Sequence, residues 1–157
     1  MIALREKHER LGDGRDNVRL WLRLLSCAMV VEKRLKRRFA ERFGTTLPRF
    51  DVLAALDRGP EGMTIEALSR ALLVSNGNVT ALVQTLIKDG WASLGSAPGD
   101  RRASIVALTA AGRAAFDDMA AAHHDWIDRW LGRLDPAERT ALYGLLGKLK
   151  DSIAEDQ

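Results

Sequence analysis

The sequence predicts a mainly α-helical fold with a small β-ribbon, and three observations predict it. Apolar residues recur at helical spacing through most of the 157 residues, in runs punctuated by Gly, Pro and capping residues. A short helix, a tight turn and a second helix occupy Thr64 to Asp89. Two strand-like runs, WASLGS and ASIVALT, follow at once around a turn at Pro98 and Gly99. A helix-turn-helix with a ribbon directly behind it is a winged helix.

In chain order, residues 1 to about 15 are polar, end in GDGR and read as a loose arm carrying His8. From Asp16 a long helix runs to about Phe43, its stripe being Val18, Trp21, Leu25, Met29, Leu35, Phe39 and Phe43, with a weak spot at Glu32. Its second half is strongly basic: Lys33, Arg34, Lys36, Arg37, Arg38 and Arg42 outnumber Glu32 and Glu41 and exceed the whole chain's net +3. Such a run is a solvated face, a long-range attractor for phosphates or an anion site, and the residues alone leave the three open.

Gly44 ends that helix, and TTLPRFDVLAAL opens the next with Thr45 or Thr46 at its cap and Pro48 in its first turn. The turn DRGPEGM leads into the helix-turn-helix, where Thr64 caps a helix from Ile65 to Leu72 and Glu66 meets its positive end. Leu73 and Val74 make the turn, and Ser75 or Asn76 caps the second helix. Val79, Leu82, Val83 and Leu86 form its inward face.

The outward face of that helix carries Gly77, Ala81, Gln84 and Lys88, flanked by Asn76, Asn78, Thr80 and Thr85. A helix that is only solvated usually shows Glu and Lys there. Amides can pair with base edges, and Gly77 and Ala81 let a backbone approach closely. The bland alternative is a helical hairpin with a polar outer side.

After the ribbon, Thr109 opens a helix to about Leu131 with the stripe Phe116, Met119, His123, Ile127 and Trp130 or Leu131. Asp135, Pro136 and Glu138 then cap a last helix with Leu142, Leu145, Leu146, Leu149 and Ile153 on one side. Helices at both ends exceed what a small module needs for its own core. Burial between two copies is the economical reading, since two-fold dimers set paired reading helices roughly 34 Å apart. The chain is therefore expected to be one domain over 1–157, with residues 45–108 as the winged helix and 16–43 and 110–157 as flanking N- and C-terminal dimerisation helices.

The run LLVSNGNVTALVQTLIKDGW, the wing residues Asp100, Arg101 and Arg102, and the following ALTAAG resemble the MarR family of bacterial transcription regulators. The resemblance implies a homodimer that binds a double-stranded DNA operator and is released by a small-molecule effector. It implies DNA contacts from Ser75, Asn76, Asn78, Thr80 and Gln84, with Asp100 holding Arg102 in place and Arg101 near phosphate. It also implies an effector cleft that Trp21, Arg49, Phe50 and His123 would reach, with Trp126 beside His123. More narrowly, LWLRLL, TTLPRFDVLAAL, LLVSNGNVT and DMAAAHHDW resemble the subgroup that controls aromatic-acid catabolism, including regulators released by hydroxycinnamoyl-CoA thioesters. Lys33, Arg34, Arg37 and Arg38 could meet the phosphates of such a ligand.

The remaining chemistry is thin. Composition is that of an ordinary globular protein, 46% apolar and 6% aromatic. The single cysteine, Cys27, lies in LLSCAMVV and reads as a buried, inert thiol. His123 and His124 are adjacent and offer no chelating spacing, so no metal is expected. There is no Gly-rich phosphate loop, nucleophile elbow or paired carboxylate frame, so neither a cofactor nor catalysis is expected. With no secretory signal or membrane-length apolar run, a cytoplasmic location is expected. The rival readings are a winged-helix protein interaction module that does not bind DNA, and a DNA-binding redox sensor that uses Cys27.

Overall fold

A computed structural model describes residues 15–97 and 100–155, with side chains described except at 97 and 100–103. Six helices and one antiparallel ribbon follow in the order α1 (Asp16–Phe43), α2 (Leu47–Arg58), α3 (Ile65–Leu72), α4 (Asn76–Lys88), β1 (Ala92–Ala97), β2 (Asp100–Leu108), α5 (Ala110–Leu131) and α6 (Pro136–Glu155). The contacts divide the chain into two units, Met1–Asp51 and Val52–Gln157. The expected turn residues Pro98 and Gly99, and His8 in the N-terminal arm, lie outside the described residues.

In the first unit, α1 ends where Gly44 turns left-handed at φ 60°, its N–H donating to the Ala40 carbonyl. The reversal folds Phe50 back against Phe39, ring centroids 4.7 Å apart, with Phe43 at 6.0 Å from Phe39. Burial on α1 is confined to its second half, at Leu35 and Phe39. The expected stripe is thus only partly inward, for Val18, Trp21 and Met29 are more than half exposed. Cys27 corrects the sequence reading in the same way. It is exposed rather than buried, for among the described residues nothing covers the side of the run that carries Cys27, Ala28 and Met29.

The second unit is built on caps that the sequence announces. Thr64 Oγ1 accepts the Ala67 N–H at 3.1 Å, Ser75 Oγ accepts the Asn78 N–H at 3.4 Å, and Thr109 Oγ1 accepts the Gly112 N–H at 2.9 Å. Asp135 and Glu138 form a reciprocal capping box at 2.9 and 2.8 Å. Val52, Leu53, Leu56, Leu68, Val79, Leu86 and Val106 are almost wholly buried in this unit.

The ribbon runs in antiparallel register from Ala92 opposite Leu108 to Ser96 opposite Ser104, with an irregularity after Ser96. It has a third partner that the sequence reading missed. Met63 and Val106 exchange both backbone hydrogen bonds, at 2.9 and 2.8 Å, which ties the wing to the chain just ahead of α3. Gly62 permits this: its φ is +89°, and a Cβ there would stand 2.9 Å from the Val106 carbonyl.

Two further backbone positions matter. At Gly112 the helix start crosses the chain so closely that a Cβ would lie 1.8 Å from the Trp91 carbonyl oxygen. At the turn between α3 and α4, Leu73 is the positive-φ non-glycine among the described residues, with φ 56° and ψ 38°. For a leucine that conformation costs about 1–2 kcal/mol.

α6 buries none of its residues in the single chain; Leu145 and Ile153 are 63% and 61% exposed. No described helix is long and apolar enough to cross a membrane.

Candidate nucleic-acid interface

α4 has two chemically distinct sides. Val79, Val83 and Leu86 are buried, whereas Asn76, Gly77, Asn78, Thr80, Ala81, Gln84, Thr85 and Lys88 are all exposed. The helical period thus places every residue of α4 expected to contact DNA, with the Ser75 cap, along one open stretch. Thr80 Oγ1 donates to the Asn76 carbonyl at 2.8 Å, which leaves its lone pairs and methyl outward. Among the described residues no hydrogen bond engages the side-chain amides of Asn78 and Gln84. A Cβ at Gly77 would meet nothing within 4 Å, so nothing among the described residues requires glycine there.

This face can pair with base edges through its amides, admit a close backbone at Gly77 and Ala81, and favour phosphate at the positive end of the helix. On its flank the ribbon carries Asp100, Arg101 and Arg102 at the start of β2. The side chains of these three residues lie outside the described part. The tie between Met63 and Val106 holds this strand against the root of α3, so wing and helix-turn-helix belong to one backbone network.

The residues expected to bind an effector are distributed differently. On α1, Lys36 pairs with Glu32 at 2.6 Å and Arg37 approaches Glu41 at 3.9 Å, both one turn apart and exposed. Such pairs hold charge in place but contribute only about 0.3–0.5 kcal/mol. Beside them opens a groove of about 470 Å³ lined, among the described residues, by Ser26, Met29, Val30, Glu32, Lys33 and Lys36. Of the basic quartet only Lys33 lines it; Arg34, Arg37 and Arg38 do not. The reading of the sequence passed over Ser26 and Val30, and named Met29 only in the apolar stripe and Lys36 only within the basic run. The signal was present in the one-turn spacing of Ser26, Val30 and Lys33 along the helix.

Trp21 is 55% exposed, whereas Phe50 is buried in the aromatic contact with Phe39 and Arg49 is half-buried. On α5 the inward line runs through Gly112, Met119, Ala122 and Trp126, so His123 sits at its margin, half-buried. Burial first, and His124 second, hold the His123 imidazole below its ordinary value of 6.5.

The unfolded chain therefore takes up that proton more readily. Stability is full above about pH 6.5 and is lost as pH falls through the lowered folded value. Urea unfolding of the wild type should show this loss as pH falls below about 6.5, and His123→Gln should flatten it. An equal loss in the variant would remove His123 as the cause. Among the described residues no group of three or more His, Cys, Asp or Glu is placed to hold a metal.

Comparison with known proteins gives a consistent set of similarities. A family model described as MarR family matches residues 43–103. The transcriptional activatory protein BadR of Rhodopseudomonas palustris is 35% identical over 104 residues, covering 65% of this chain and 59% of BadR. The HTH-type transcriptional repressor NicR of Pseudomonas putida is 34% identical over 105 residues, covering 66% of this chain and 65% of NicR. The match thus spans less than two thirds of either relative's own length. The crystal structure of a MarR family transcriptional regulator from Silicibacter pomeroyi is 32% identical, covers 91% of this chain and 99% of that one, and superposes with a TM-score of 0.73.

Proposed function

The chain belongs to the MarR family, and from that premise we propose that it is a homodimeric DNA-binding transcriptional repressor, released from a pseudo-palindromic operator by a small aromatic effector. The observation that carries the reading is the exposed, amide-bearing face of α4. Asn76, Asn78, Thr80 and Gln84 read base edges from the major groove, and Ser75 sits against phosphate. Arg102 enters the minor groove with Asp100 as its support, while Arg101 takes a backbone phosphate. Two copies are needed because one such helix spans only a half-site. The relatives carry both signs of control, BadR being named an activatory protein and NicR a repressor. For this chain we take repression.

The effector we propose is a hydroxycinnamoyl-CoA thioester. The groove on α1 supports it, because Met29 and Val30 offer apolar surface beside the charge of Lys33, with Lys36 held by Glu32 at 2.6 Å, which suits a ligand with an apolar part and a phosphate. Release requires that the ligand bind better to a dimer whose reading helices are wrongly spaced for DNA. A tenfold fall in DNA affinity needs about 1.4 kcal/mol of such preference.

The test is fluorescence anisotropy with a duplex from the region upstream of the protein's own gene, over graded salt. Binding should weaken steeply with salt, and Asn78→Ala with Gln84→Ala should lower affinity roughly 10- to 100-fold without altering the unfolding midpoint. Feruloyl-CoA or p-coumaroyl-CoA should release the duplex. No binding at low salt would overturn the DNA reading. Release by the free aromatic acid but not by its thioester would overturn the effector.

A further inference from the structure

We propose that Leu73, in the turn between α3 and α4, is itself a DNA-contact residue, laying its side chain on the apolar surface of the duplex that a thymine methyl or a deoxyribose presents. The proposal rests on the DNA-binding reading and deepens it. Two features of this residue run against what the isolated chain would favour. Its backbone is left-handed, at φ 56°, where glycine or asparagine is at ease and leucine is strained. Its side chain is also 91% exposed, higher than any other large hydrophobic residue among the described residues.

Neither the turn nor the core accounts for leucine at 73. The turn is held by backbone and serine groups: the Leu73 N–H donates to the Ser69 carbonyl, the Val74 N–H donates to the same oxygen at 3.2 Å, and Ser69 Oγ donates to the Val74 carbonyl at 2.5 Å. Glycine would keep all three bonds with less strain. The side chain buries almost nothing, so it brings no compensation from packing. Strain kept at an over-determined turn, with no packing to offset it, points to a functional contact for the side chain that it carries.

The place of the turn identifies that surface. Leu73 stands two residues before Ser75, the cap of the helix whose exposed amides are proposed to read the bases. A side chain there is carried to the duplex edge together with Ser75 and Asn76. The apolar groups available at that edge are the C5-methyl of thymine and the sugar, either of which a leucine can cover.

The experiment compares wild type, Leu73→Gly and Leu73→Asn at matched salt, on the upstream duplex and on the same duplex with uracil in place of thymine. Leu73→Gly should unfold at a higher temperature yet bind the thymine duplex roughly 5-fold or more weakly, and Leu73→Asn should bind as weakly. If the methyl is the contact, uracil weakens the wild type and leaves Leu73→Gly unchanged. If the sugar is the contact, uracil changes neither and the glycine variant is still the weaker binder. Wild-type affinity in Leu73→Gly on both duplexes overturns the proposal. Failure of the wild type to bind any duplex at low salt is a different result, and removes the DNA reading itself.

Discussion

Replacing Gly112 with alanine should lower the stability of the protein by about 3 kcal/mol or more, which for a chain of this size is a fall of roughly 10 °C in the unfolding midpoint. The added Cβ would lie 1.8 Å from the Trp91 carbonyl oxygen, 2.7 Å from its carbon and 3.0 Å from its Cα, so backbone must move. That carbonyl accepts the Thr109 N–H at 3.1 Å, and the Trp91 N–H donates to the Leu86 carbonyl at 2.9 Å. Displacing Trp91 therefore disturbs the end of α4, the start of the ribbon and the cap of α5 together. Gly77→Ala is the control, since a Cβ there meets nothing within 4 Å and alanine favours a helix by about 0.8–1.0 kcal/mol. A Gly112→Ala protein that melts with the wild type would show that the close crossing is absent.

Placing aspartate at Leu145 and Leu149 should convert the proposed dimer to a monomer and weaken operator binding by about 100-fold or more, because the second half-site is no longer held at high effective concentration. The change falls on a helix that buries nothing in the single chain. Leu142, Leu145, Leu146, Leu149 and Ile153 are 38–63% exposed along it, a contiguous apolar face that a lone copy would leave in water. The monomer's own core should survive for the same reason, and circular dichroism should show nearly unchanged helix. Sedimentation equilibrium and anisotropy read the two effects. A double variant that sediments as a dimer and binds as the wild type would remove α6 from the interface.

Much of this molecule is written in short stretches of sequence. The helix limits at Asp16, Phe43, Ile65 and Leu72 are as expected, and so are the caps at Thr64, Ser75, Thr109 and Asp135. Each of these depends on hydrogen bonds between residues three or four apart, so the local order of side chains decides them. The two sides of α4 were legible for a related reason: a helix repeats every 3.6 residues, and Gln84 falls on the side away from Val79 and Val83 with Asn76 and Asn78 on its flanks.

What escaped the sequence was burial and approach between distant residues. The apolar stripe of α1 runs from Val18 to Phe43 with a weak spot at Glu32, yet only Leu35 and Phe39 are buried on it, and Cys27 is exposed among apolar neighbours. Met63 carries no strand signal of its own, and it pairs with Val106 because Gly62 can turn left-handed 44 positions earlier. Leu73 looks like any turn leucine until its φ and exposure are known.

By itself, then, the order of residues determined which segments are helices, where they start and stop, and which face of α4 offers amides, since those properties are settled within a turn or two of chain. The folded chain alone decided what is covered: the double hydrogen bond that anchors the wing, the crossing at Gly112, and the apolar faces of α1 and α6 left open to water. The physical reason is that burial is set by whichever distant atoms arrive at a surface, and a periodic pattern states which face is apolar without stating what will meet it.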